Sequence, residues 1–106
     1  MLFLNLQDLE ERQLAPGFKG CFVHSEHVTC AYWNIEANAV LSEHSHPHEQ
    51  VANVISGEFE LTVSGETRVL GPNSVAIIPP GAPHSGRGIT ECRIIDVFYP
   101  TREDYR

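Results

Sequence analysis

Turn-forming residues recur along this chain at intervals too short for helices, and they confine it to a series of short strands. Pro16-Gly17, Ser56-Gly57, Ser64-Gly65, Gly71-Pro72-Asn73 and Pro80-Gly81 separate runs rich in β-branched and aromatic residues. Those runs predict strands over residues 21–24, 28–35, 39–46, 51–55, 58–63, 67–70, 75–78, 84–86 and 91–99. Strands this short and closely spaced imply an all-β sandwich or barrel. The one helical candidate, 6–14, clusters acidic residues and has a poor apolar period, so a turn or two is expected there.

At 106 residues and 42% hydrophobic content the chain suits one domain, spanning 1–106. Its net charge of −7, with only seven Lys or Arg, argues against a nucleic-acid surface. No run approaches membrane-spanning length, and the apolar start lacks the basic flank of a leader. Cys21, Cys30 and Cys92 are odd in number and lack metal-finger spacing, so they read as small core residues of a reducing compartment, the cytoplasm.

The residues with the most chemistry are split between two segments. Glu43-His44-Ser45-His46-Pro47-His48-Glu49-Gln50 and Pro79-Pro80-Gly81-Ala82-Pro83-His84 each adjoin a predicted strand. Alternation along a strand sends His44 and His46 to one face, about 7 Å apart along the backbone, where they can share an ion. Pro47 removes a ladder donor and should break the phase, leaving His48 and Glu49 at the rim, where His48 can orient a ligand or touch substrate. His24 and His27 read as a solvated turn.

A second such region is the tail from Asp96 through Phe98 and Arg102 to Tyr105. Period-2 alternation puts Ile94, Asp96 and Phe98 on one face. From the residues alone Asp96 is either a surface acid or a desolvated pocket group whose pKa burial would raise. Arg102 beside Glu103 and Asp104 reads as either a pocket or a surface cation, and Trp33 as either core or a pocket wall.

Together these segments resemble the cupins, small jelly-roll barrels (double-stranded β-helices) with the motifs G-x5-H-x-H-x3-E/Q-x6-G and G-x5-P-x-G-x2-H-x3-N. Asn38, His44, His46, Gln50 and Gly57 fall on the first at its spacing, and Asn73, Pro79, Gly81, His84 and Gly88 fall on the second, with Gly88 in place of the closing Asn, a position that carries no metal ligand in the family. Asn replaces both leading glycines, and among non-glycine residues it is enriched in the left-handed conformation such turns require. The resemblance implies a divalent transition metal (Ni, Zn, Fe, Mn or Cu) held by His44, His46, Gln50 and His84. With an amide in place of the commoner carboxylate, such a centre keeps nearly its full +2 charge and suits an anionic ligand.

The tail is similar to that of the small cupins of bacterial pectin and alginate breakdown, which open the ring of 4,5-unsaturated monouronates. That resemblance implies Asp96 and Arg102 as catalytic groups and Phe98, Trp33 and His48 as pocket residues for a small sugar acid. Two other readings are a metal-dependent dioxygenase and a non-catalytic module that binds a sugar acid or metal. A homodimer is expected, with residues 1–15 at its interface and 1–6 pairing as an edge strand with a second copy.

Overall fold

The computed structural model describes residues 2–106, and Met1 lies outside them. Ten strands run in chain order: β1 Arg12–Ala15, β2 Phe18–His24, β3 Thr29–Ile35, β4 Val40–His44, β5 Glu49–Ser56, β6 Phe59–Val63, β7 Glu66–Leu70, β8 Val75–Ile78, β9 His84–Gly88 and β10 Cys92–Tyr99. Single 3-10 turns occupy Leu6–Asp8 and Glu103–Tyr105. No helix among the described residues is long and apolar enough to cross a membrane.

All the strand pairings are antiparallel and form two sheets, ordered β1-β2-β3-β10-β5-β8 and β4-β9-β6-β7. This is the expected jelly-roll architecture. Burial alternates strictly along β10, so Cys92, Ile94, Asp96 and Phe98 face inward. Together with Phe18, Trp33, Ile35, Val54, Phe59, Leu61 and Ile78 the apolar members of this set form the core.

The turns behave as their residues require. Asn38 and Asn73, standing where the family motif has glycine, adopt φ of 68° and 72°, the left-handed region Asn tolerates better than most side chains. Gly57 has φ 79°, and any Cβ there would collide with the Glu91 carbonyl.

Several sequence expectations are corrected. Arg12–Ala15 is a strand, joined to β2 by the Pro16-Gly17 turn, and helical structure in 6–14 is confined to Leu6–Asp8. Residues 2–5 form no strand within the chain, and the edges of the wide sheet are β1 and β8. β4 ends at His44, and His46 lies in the following loop. Pro47 lacks an amide donor, and the His46 carbonyl instead accepts from the Gly81 N–H at 2.8 Å, tying this loop to the second motif. Cys92 is buried, but Cys21 and Cys30 are half-buried, and all three are free thiols.

Candidate metal centre

Three elements bring the histidines together. His44 at the end of β4 is the register partner of His84 at the start of β9, and their rings lie 4.2 Å apart by centroid. The β4–β9 ladder shifts register between Leu41 and His44, a local irregularity of the kind that re-aims side chains beside functional sites. The 45–48 loop then delivers His46, whose ring centroid is 4.9 Å from that of His84. Ligand atoms of all three converge within 4.8 Å of one another.

Each ring is oriented through its Nδ1. His44 Nδ1 lies 2.9 Å from the Ser42 carbonyl, His84 Nδ1 2.9 Å from that of Ala82, and His46 Nδ1 3.1 Å from that of His48. A carbonyl only accepts, so a neutral ring keeps its proton on Nδ1 and has an Nε2 lone pair to offer. Burial holds His46 at a pKa of about 4 and His84 below its usual value, with the Arg102 charge adding to both effects. Neutral rings are what a metal needs.

The fourth group supplies the fit test for a metal. Gln50 Oε1 lies 3.1 Å from His46 Nε2. A neutral His46 has one N–H and faces two acceptors, the His48 carbonyl and the Gln50 oxygen. With the proton on Nδ1, two lone pairs confront each other at Nε2. A cation between them removes the conflict, and 3.1 Å suits two atoms each ~2.1 Å from one ion. His44, His46, His84 and Gln50 therefore fit a divalent metal, and nothing in the set selects its identity. His48 is not among the converging rings; it lends its backbone carbonyl, while its buried Nδ1 has no hydrogen-bond partner among the described residues.

Gln50 links the histidines to the acid. It is buried on β5, two residue pairs along the β5–β10 ladder from Asp96. Asp96 is 7% exposed; its Oδ2 accepts from the Trp33 indole N–H at 2.9 Å, and its Oδ1 has no hydrogen-bond partner among the described residues. Burial pushes its pKa up to about 6, against opposing pulls from the Gln50 amide, the Trp33 N–H and the Arg102 charge. Trp33 is thus both a core residue and the anchor of the acid.

Arg102 is buried and not a surface cation, but its fork is largely engaged. Nε and Nη2 hold the two oxygens of Asp104 at 3.2 and 2.6 Å, and Nη1 donates to the Tyr105 hydroxyl at 3.0 Å. Its guanidinium lies between the rings of Phe98 and Tyr105, 4.8 and 3.9 Å from their centroids. Three of five N–H groups are used, leaving two. Hydrogen bonding to Arg102 lowers the Asp104 pKa, and burial raises that of Tyr105 to about 12. Tyr105 is the residue sequence reasoning missed; the Arg102-x-x-Tyr105 spacing within a 3-10 turn was the only available signal.

A cavity of about 250 Å³ opens onto His44, Gln50, His84, Asp96, Phe98, Arg102 and Tyr105, with Trp33 in its wall. Of the sequence-predicted set, His46 and His48 do not line this cavity; their rings lie side by side at a centroid distance of 5.5 Å.

Comparison with known proteins bears out the family and the fold. Residues 31–98 match the model of the Cupin domain. An uncharacterized protein of Streptomyces coelicolor is 29% identical over 102 residues, covering 94% of this chain and 97% of the other. An RmlC-like cupin from Shewanella frigidimarina superposes with a TM-score of 0.94 at 27% identity, covering 100% of this chain and 96% of the other. KdgF from a Halomonas species gives 0.91 at 25% identity, covering 98% and 97%.

Proposed function

Because the chain belongs to the cupin family, we propose that its histidine cluster and Asp96 form the active site of a metal-dependent enzyme that opens the ring of 4,5-unsaturated monouronates to 4-deoxy-5-keto sugar acids. The observation that carries this reading is the Asp96 Oδ1, a buried acceptor without a partner among the described residues, beside the histidine cluster in a cavity sized for one small molecule. The likeness to KdgF supports the same reading.

A divalent metal held by His44, His46, His84 and Gln50 would supply Lewis-acid polarisation and positive charge near the substrate oxygens. The chain's own groups do the rest. Arg102 offers its two unused N–H groups to the substrate carboxylate. With a pKa of about 6, Asp96 is mostly ionised at neutral pH and takes the C1 hydroxyl proton at Oδ1. The bond from C1 to the ring oxygen breaks, its electron pair stays on the oxygen attached to C5, and C1 becomes the aldehyde. Protonated Asp96 then returns the proton to C4, and the C5 enolate becomes a ketone. No atom is gained or lost. The Trp33 N–H holds Oδ2 throughout, so Oδ1 is the working oxygen, and Phe98 supports the Arg102 fork.

The test is direct. Metal-loaded protein added to an unsaturated galacturonate or guluronate should speed loss of the conjugated double-bond absorbance, and both His46→Ala and Asp96→Asn should remove that effect. A rate equal to the spontaneous one would end the proposal.

A further inference from the structure

The cavity has two chemically different ends, and the ladder registers sort its lining by depth. At the mouth, Gln50 pairs with Phe98 and His44 with His84. One level down, Asp96 faces Ala52 on one side and Ala31 on the other. The next level is Ile94 between Val54 and Trp33, and beyond it Ile35 pairs with Phe18. Across the barrel, Phe59 and Leu61 close the wall, the Phe59 ring taking the space a side chain at Gly86 would need.

Apart from the Trp33 N–H, which Asp96 already accepts, and Ser85, which follows His84 on β9, the side chains lining the cavity below Asp96 are hydrocarbon. The small Ala52 lines the cavity at the level of Asp96, between mouth and floor. Apolar cavities of about 150 Å³ stay dry and take benzene-sized guests. A hydroxyl carried past Asp96 would give up its water partners and find at most Ser85 in return.

We propose that this chamber is a subsite for the apolar edge of a ring acid. The site then takes small carboxylic acids whose ring carbons beside the carboxylate carry no hydroxyl, and turns away fully hydroxylated sugar acids. The inference rests on the proposed function only for placing the carboxylate at the polar mouth. Within that function it explains selection of a 4-deoxy, unsaturated ring over its saturated counterpart.

Two six-membered ring monoacids, 1-cyclohexene-1-carboxylate and galacturonate, test it by titration calorimetry on the purified metal-replete protein. Each ring methylene taken into the chamber is worth roughly fourfold in affinity, so the cyclohexene acid should bind at least about tenfold more tightly. Its heat-capacity change should be the more negative of the two. Ala52→Leu, which narrows the cavity at the level of Asp96, should erase the preference; if that variant does not fold, the heat-capacity comparison on the native protein decides alone. Equal or tighter binding of galacturonate, no binding of either acid, or an unchanged preference in a folded Ala52→Leu protein would overturn the subsite. Turnover of an unsaturated uronate without the preference would sink the chamber and leave the reaction standing, and the preference without turnover would do the reverse.

Discussion

The two sheets divide the work unequally. In the wide sheet β3, β5 and β10 are seven or eight residues long, and their inward positions are almost all buried. The narrow sheet has five-residue strands, its edge strand β7 is exposed at four of five positions, and its β4–β9 ladder is irregular. Yet His44 and His84 come from the narrow sheet, with His46 on the loop after β4, while Gln50, Asp96, Phe98 and Trp33 come from the wide one. The sheet that supplies most of the apolar core also holds the buried acid Asp96, and the thinner, less regular sheet presents the histidines. A site built across two walls can lose its ligands without losing the fold.

That division can be broken experimentally, starting with the largest effects. His84→Ala should lower metal affinity by more than about 100-fold, since even changes to groups behind a ligand cost 10- to 100-fold. Its circular dichroism should stay native in the metal-free protein; unfolding instead would show that the narrow sheet depends on its ligands for stability. Asp96→Asn should keep metal stoichiometry, measured by elemental analysis, while turnover falls by about 10²- to 10⁴-fold. In the wide sheet, Ile94→Ala should cost about 2–5 kcal/mol in denaturant unfolding, through lost burial and the cavity left behind. In the narrow sheet, Val69→Ala, at a position 55% exposed, should stay within about 0.5 kcal/mol.

A pH series separates the two walls further. The folded-state pKa of Asp96 is raised above its unfolded value of 3.8 to about 6, so its contribution favours folding below pH 3.8 and is lost as pH rises through 6. Metal-free Asp96→Asn should therefore be more stable than the parent at pH 7.5, by about 3 kcal/mol, with the gain gone near pH 4. His46 has the opposite sign. Its folded pKa is depressed to about 4, so stability is lost as pH falls from 6.5 toward 4, and removing Asp96 should expose that acid sensitivity in thermal unfolding.

Much of this molecule was legible because its punctuation is local. Gly and Asn at left-handed positions, together with the Pro-Gly pairs, marked the turns, and the strands between them followed, most of them within a few residues at each end. β1 was missed because four residues with ends half-buried and middle exposed show no usable alternation. His46 was expected on a strand because H-x-H alternation mimics one, whereas Pro47 and the Gly81-to-His46 hydrogen bond place it in a loop. The partners of Asp96 and Arg102 were harder. Trp33 reaches Asp96 from 63 positions away through the β3–β10 register, which no local pattern encodes. Asp104 and Tyr105 were adjacent in sequence to Arg102, but only the 3-10 turn showed that they occupy three of its donors.

The identity of the fourth ligand bears most directly on the account, because an amide there leaves the site its full positive charge beside Asp96. Anomalous diffraction at the metal edge from crystals of the loaded protein locates the ion. The expected result is one peak per chain within bonding distance of Nε2 of His44, His46 and His84 and of Gln50 Oε1. A peak bonded to a His48 ring nitrogen with the Gln50 amide turned away, or no peak among the three histidines, would contradict it.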